Sequence, residues 1–533
     1  MIRTAFAAVL LSWLALSGVA DAAPKRQPKG PDFSKHENRL KMLELIGRGF
    51  DTRVRPIGYD SDDLDRELER YVQRGTSTPL AETIDDAAFL RRVSIDLTGR
   101  VPTAEQIAAF EADADPKKRE KKIDELLASD AWARKWARYW RKVIFHAAPG
   151  MRNQTNPQAL EDHLFAKLKA GAGWDKIVGE LIAANPQRKK DTRVQDNGWN
   201  QDTGYNNFVL SSDRKPTELA SRTARLFMGI SIECAECHDH PFDDWKREQF
   251  HELAAFFSPG RYYMPDLEDP KERHLMQPKF LLGETPPPRL DANERRIAIA
   301  AFLIYNPDNY WFARSFVNRV WSELIGDGFY SVDSLGPDKD VVHKLLVNRI
   351  GAQFRAETFD VRWLFRLICN SEAYQREAAP ISDAADLFTA VSPTKLRPWE
   401  IADRVQSLSA DPAKPAPSKV DQGMRREVET TFDQNPSIPH SDLEGTMQQA
   451  LLLMNSPRLH NTVATAEWMK RLRRESDNDA VVDEAFLRIL ARRPTPTERV
   501  RYRSLLRTAD DRVAAIEDIV WVLMNSAEFL TKT

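Results

Sequence analysis

Apolar residues recur at spacings of three and four along almost the whole chain from Ser61 onward, and helix-start and helix-stop signals bracket many of the runs. Asp85-Asp86 precede Ala87, Ala88, Phe89, Leu90, Val93, Ile95 and Leu97. Gly99-Arg100-Val101-Pro102 then interrupts, and Thr103-Ala104-Glu105-Gln106 reads as a capping box that opens the next helix. Asp115-Pro116 opens a third helix through Ile123, Leu126 and Leu127. After it, Trp132, Trp136, Tyr139 and Trp140 form an aromatic stripe expected to pack in a core. Only a mainly α-helical fold with few or no strands satisfies this pattern. Three cysteines in 533 residues exclude a disulfide framework, so packing must supply the stability.

The charge balance, 77 basic against 79 acidic residues, leaves no electrostatic footprint for nucleic acid or an anionic membrane surface. Residues 1–23 read as a secretory signal peptide: Met1-Ile2-Arg3, an apolar run from Ala5 to Val19, then Ala20-Asp21-Ala22-Ala23. The expectation is an exported protein, periplasmic or extracellular, with no membrane span after signal cleavage, because no later segment approaches spanning length. Residues 24–60 are basic and proline-containing and read as a linker. Residues 61–258 form a first helical domain. Residues 259–290 hold seven prolines and read as a second linker. Residues 291–533 form a second helical domain with a long loop near 409–440. The polar stretch Arg193–Asn207 reads as a surface loop.

Two echoes run through the chain. Phe89-Leu90-Arg91 followed by Pro102-Thr103-Ala104-Glu105 returns as Phe486-Leu487-Arg488 followed by Pro494-Thr495-Pro496-Thr497-Glu498. Asn370-Ser371, Asn455-Ser456 and Asn525-Ser526 each close an apolar run and read as helix stops.

Chemistry concentrates in Cys234-Ala235-Glu236-Cys237-His238-Asp239-His240-Pro241-Phe242. C-x-x-C-H in an exported chain is the attachment signature of a c-type haem: each thiol adds to a vinyl group and the adjacent imidazole ligates the iron. On that reading Cys234 and Cys237 are the thioether donors, His238 is the proximal ligand, and Met264, His251, His274 or Met276 is the sixth ligand. His240, two residues from His238, does not reach the opposite face of the same iron. Two other readings stay open: a tetrahedral zinc held by Cys234 and Cys237 with one or both of His238 and His240, or a structural Cys234–Cys237 disulfide in a polar turn. Asp239, Asp243 and Asp244 read as caps of the next helix. Cys369 lies on an apolar helix face and reads as an inert thiol. Arg314, Asn318 and Arg319 with Trp321 are either an anion-binding cluster or a helix-packing network. No serine elbow, H-E-x-x-H, phosphate loop or dinucleotide fingerprint occurs, so no catalytic residue is assigned and enzymatic activity stays open.

The chain resembles a secreted planctomycete family that pairs a cytochrome-type domain of unknown function with a second planctomycete-specific domain of unknown function. The resemblance rests on Asp85 to Thr103, Cys234 to Trp245, Trp311-Phe312-Ala313-Arg314, Val317-Asn318-Arg319-Val320-Trp321, Asn370 to Gln375 and Leu453-Met454-Asn455-Ser456-Pro457. It implies haem and an envelope or polysaccharide setting, without an established activity. The reading is therefore an exported envelope protein carrying haem c at C-x-x-C-H, in electron transfer or support of a redox partner. The rival is a non-catalytic binding or scaffold protein for polysaccharide or a protein partner, whose turn is a structural disulfide or zinc site.

Overall fold

The helix-start signals are made in three dimensions. Thr103 accepts the Gln106 amide at 3.3 Å while Gln106 reaches back to the Thr103 amide at 2.9 Å. Thr495 and Glu498 repeat the arrangement at 3.2 and 2.8 Å. These distances come from a computed structural model, which describes residues 31–50, 58–146, 148, 155–187, 200, 202–269, 271–333, 341–381, 386–409, 422–438 and 442–532. The signal peptide expected at 1–23 and most of Arg193–Asn207 lie outside the described residues.

Among the described residues the elements are helices and one small antiparallel sheet of two strands, β1 (Tyr262–Pro265) and β2 (Arg273–Met276), so the fold is mainly α. No described helix is long and apolar enough to cross a membrane.

Three segments differ from the sequence expectation. The 24–60 linker contains the helix His36–Phe50, which buries Leu43 and Ile46 and whose Arg39 donates to the Ala183 carbonyl at 2.7 Å. Its apolar residues stand at helical spacing, but they follow a basic, proline-rich stretch whose composition reads as a linker. The 259–290 linker carries the β1–β2 hairpin. The 409–440 loop contains the helix Gln422–Thr431, which buries Met424 and Val428.

The chain forms two compact units that do not divide at the proline-rich stretch. One draws on Met1–Tyr59, Trp136–Arg319 and Phe329–Leu364; the other on Asp60–Lys135, Val320–Gly328 and Phe365–Thr533. Sequence punctuation marks chain turns, whereas long-range packing decides units, and the two need not coincide.

The first unit has an aromatic core. Phe316 stacks on Trp140 at 5.6 Å and on Phe354 at 5.2 Å, with Trp174 tilted against it at 4.5 Å. Trp136, Tyr139 and Trp140 of the expected stripe are buried in this unit. The helix Pro216–Met228 lays Leu219, Thr223, Leu226 and Phe227 into the unit's interior, and Phe227 meets Phe208 at 5.4 Å. The second unit packs Val405, Phe486, Ile489, Ile516 and Trp468 into its own core. Its Trp132 is also buried, edge-on to Phe365 at 5.8 Å.

Candidate functional site

The helix that delivers the cysteine motif stops at Gly229, not at Pro241. Gly229 has φ +68°, and a Cβ there would stand 3.2 Å from the Ser315 Cβ, so a side chain is both strained and crowded. The Gly229 amide donates to Arg225 and the Ile230 amide to Ala224, both at 3.1 Å, and the first of these with Gly229 in the left-handed region closes the helix with an αL cap. Ile230 and Ile232 are buried and lead into one 3-10 turn, Glu233–Glu236. Its buried residue is Ala235; Cys234, Glu236, Cys237, His238 and Asp239 are exposed.

Cys234 lies in that turn and Cys237 caps its end. Both are free thiols. His238 Nδ1 lies 2.7 Å from the Asp239 carbonyl. A carbonyl only accepts, so Nδ1 carries the proton and Nε2 presents its lone pair outward.

The turn is mounted on the next helix, Arg247–Ala255. The Asp239 carboxylate accepts the Arg247 amide at 3.0 Å and the Lys246 ammonium at 3.1 Å. Those bonds, the amide first, hold its pKa below the ordinary value. Asp239 thus meets the capping expectation by satisfying a first-turn N–H. Arg247 reaches the Glu236 carbonyl through Nε at 3.4 Å and the Pro265 carbonyl of β1 through Nη2 at 2.8 Å. One turn on, buried His251 donates from Nε2 to the same Glu236 carbonyl at 3.0 Å and accepts from the Tyr262 hydroxyl at Nδ1, 2.8 Å away. Burial lowers the His251 pKa and pushes the Tyr262 phenol up to about 12.

This geometry sorts the residues named from sequence. Cys234, Cys237 and His238 lie on one short exposed stretch of chain. His240 is not with them: it is buried, its amide donates to the Trp245 carbonyl at 2.8 Å, and its Nδ1 accepts the Phe242 amide at 3.2 Å. Among the described residues no group of three or more His, Cys, Asp or Glu side chains converges as a metal site. His251 has both ring nitrogens engaged and is a brace rather than a free ligand. Its role was missed from sequence, although Arg247 and His251 at i and i+4 on the helix after the motif were the available signal.

Two domain families match the chain, and the first holds this turn. Residues 63–262 match the model PSCyt2, protein of unknown function (DUF1549), and residues 295–430 match PSD1, protein of unknown function (DUF1553). The chain thus carries both domains of unknown function, one after the other. The PSCyt2 match holds the whole cysteine turn and ends at Tyr262, the first residue of the hairpin that His251 braces. No curated protein and no solved structure matches the chain.

Away from the turn, Arg314, Asn318 and Arg319 are buried. Arg319 pairs with Asp333 at 2.5 Å, which with the nearby Tyr139 raises its pKa against the opposing effect of burial. Asn318 accepts the Phe329 amide at 2.7 Å and donates to the Tyr330 carbonyl at 2.9 Å. The cluster is a packing network, not an open anion site. A second group, unforeseen because its members are far apart in sequence, joins His163 to Glu180 at 2.9 Å, with Lys167 on the other Glu180 oxygen and His36 stacked on Tyr205 at 3.9 Å.

Proposed function

We propose that the Cys234–His238 turn carries a covalently attached c-type haem, and that the protein serves in electron transfer or in support of a redox partner outside the cytoplasm. The observation that carries this is the His238 bond to the Asp239 carbonyl: it puts the proton on Nδ1 and leaves Nε2 as the ligating nitrogen, next in sequence to two exposed thiols. The set fits the group: two thiols for thioether bonds, one imidazole of defined tautomer, and a turn anchored at Ala235. A haem bound there supplies one-electron redox chemistry. The chain's own residues orient the imidazole through Asp239 and hold the turn on the Arg247–Ala255 helix through Asp239 and Glu236.

The test is expression of the full chain with a haem-maturation system, followed by haem staining of a denaturing gel and a pyridine haemochrome spectrum. Covalent haem that is lost in Cys234→Ala and Cys237→Ala supports the proposal. Its absence, together with a Cys234–Cys237 disulfide in the same preparation, overturns it in favour of a binding or scaffold protein with a structural turn.

A further inference from the structure

We infer that the helix Met447–Asn455 is the contact face of a two-fold dimer, its partner a second copy of this chain. The helix lies on the second unit with its apolar side turned out. Thr446 and Gln449 close a capping box that fixes its register, the Thr446 amide donating to Gln449 at 3.1 Å and the Gln449 amide to Thr446 at 3.2 Å. Gln449 and Leu453 are then its buried residues. Met447, Leu451 and Met454, at i, i+4 and i+7, run along the opposite side and are 79%, 49% and 42% exposed. Trp521 of the helix Arg512–Met524 borders this stripe: its Nε1 donates to the Met454 carbonyl at 3.3 Å, and the residue is 37% exposed. Apolar residues scattered singly on a surface need no partner, and Val500, between Arg499 and Arg501, is of that kind. The stripe is not: from Gly445 to Pro457 no residue is charged, although 29% of the whole chain is.

Charge and symmetry name the occupant. A two-fold contact sets a face against the same face of the other copy, so a charged face repels itself and a neutral one does not. An antiparallel pairing also lays the start of one helix against the end of the other. Asp442 and Glu444 precede the helix and Arg458 follows it, all exposed, so the acids of one copy meet the base of the other at the rim. At about 200 Å² for a large side chain, the stripe and Trp521 leave roughly 400 Å² of apolar surface open. That is the size of a functional patch and about half of the ~800 Å² that each partner gives to a standard interface. The inference does not depend on what the cysteine turn carries.

The experiment is sedimentation velocity on the full chain in reducing buffer, from low to high micromolar concentration, as wild type, Leu451→Glu, Leu451→Lys and Val500→Glu. Leu451 is the middle residue of the stripe, so an antiparallel pairing packs it near its own counterpart. Wild type and Val500→Glu are expected to show a concentration-dependent dimer. Each Leu451 variant loses it while keeping the wild-type circular dichroism spectrum, and an equimolar mixture of the two Leu451 variants recovers it, which a protein that had failed to fold would not do. A wild type that stays monomeric throughout, a dimer that persists in Leu451→Glu, or a mixture that stays monomeric overturns the inference. A monomeric wild type that floats with phosphatidylcholine vesicles, when Leu451→Glu does not, overturns it in favour of a lipid surface.

Discussion

His251 Nε2 donates to the carbonyl of Glu236 at 3.0 Å, so a buried imidazole fifteen residues downstream holds the peptide that separates Cys234 from Cys237. A surface turn of five exposed residues has little packing of its own; its conformation is fixed by what its backbone is tied to. Here one helix supplies Arg247 and His251 on successive turns, and both meet that carbonyl before reaching to the β1 strand.

Replacing His251 with alanine should therefore loosen the turn without touching a thiol. The loss of a buried hydrogen-bonded side chain costs about 1–3 kcal/mol. The expected outcome is a lower urea midpoint and faster alkylation of Cys234 and Cys237 in haem-free protein. Tyr262→Phe removes only the outer bond of the relay and should cost about 1 kcal/mol. A His251→Ala protein with unchanged midpoint and thiol rates would show that the turn holds itself.

The helical class and most helix starts were legible in sequence because a cap is a local device: Thr103 with Gln106, and Thr495 with Glu498, need only the four residues that spell them. The Asn-Ser pairs were half legible. Asn370, Asn455 and Asn525 do close helices, but Ser371, Ser456 and Ser526 each cap the segment that follows, accepting from Tyr374, Leu459 and Phe529. The cysteines and His238 were visible as a motif. The brace was not, because His251 acquires its role only when the hairpin folds back and Tyr262 arrives beside it. The two units were hidden for the same reason, being assembled from three stretches each.

His36 gives the stability a pH dependence. It stacks on Tyr205, with Arg39, His163 and Glu180 around it. Burial, then the Arg39 charge, depresses its pKa to about 4. The unfolded imidazole protonates near its ordinary value of about 6.5, so between these values the unfolded state binds more protons. The His36 contribution is thus fully present above about pH 6.5 and is lost as pH falls toward 4, by roughly 3 kcal/mol in total. Urea midpoints from pH 7.5 to 4.5 should fall less steeply in His36→Gln than in wild type; parallel curves would refute the assignment.

In the second unit Asp96 is buried with Lys532 2.9 Å from one oxygen and the Tyr374 hydroxyl donating to the other at 2.8 Å. Burial opposes the Lys532 charge, yet Asp96, Glu400 and Glu323 hold its pKa above the ordinary value. Lys532→Met strands the carboxylate and should cost about 3–5 kcal/mol, while Asp96→Asn combined with Lys532→Met should cost less than the single lysine change. Chemical denaturation of Lys532→Met, Asp96→Asn and the double variant measures the coupling, and strict additivity would mean that the pair does not act as one.

Asn318 stands in for a missing stretch of backbone pairing, since its amide group binds Phe329 N and Tyr330 O within the first unit. Asn318→Leu keeps the volume but leaves those buried groups unpaired, at about 1–3 kcal/mol each. Asn318→Asp keeps the acceptor for Phe329 and loses the donor for Tyr330, while adding a buried charge, so it should be at least as damaging. Thermal unfolding of the two variants checks the order.

The three thiols should separate by reactivity. Cys234 and Cys237 are exposed, and Cys369 is buried among Leu367, Ile368 and Tyr374, where burial and then Asp96 push its pKa well above the ordinary thiol value. The thiolate is the reactive species, so Cys369 is protected twice, by access and by protonation. In haem-free, reduced, folded protein, iodoacetamide should label two cysteines per chain and reach the third only after denaturation. In haem-loaded protein the proposal predicts no labelling in the folded state and one site after denaturation, because thioether sulfurs do not alkylate as thiols do. Mass spectrometry of intact chains counts the adducts directly. Two adducts on denatured, haem-loaded chains would mean that only one thioether bond forms, and three would mean that the haem is not covalently held.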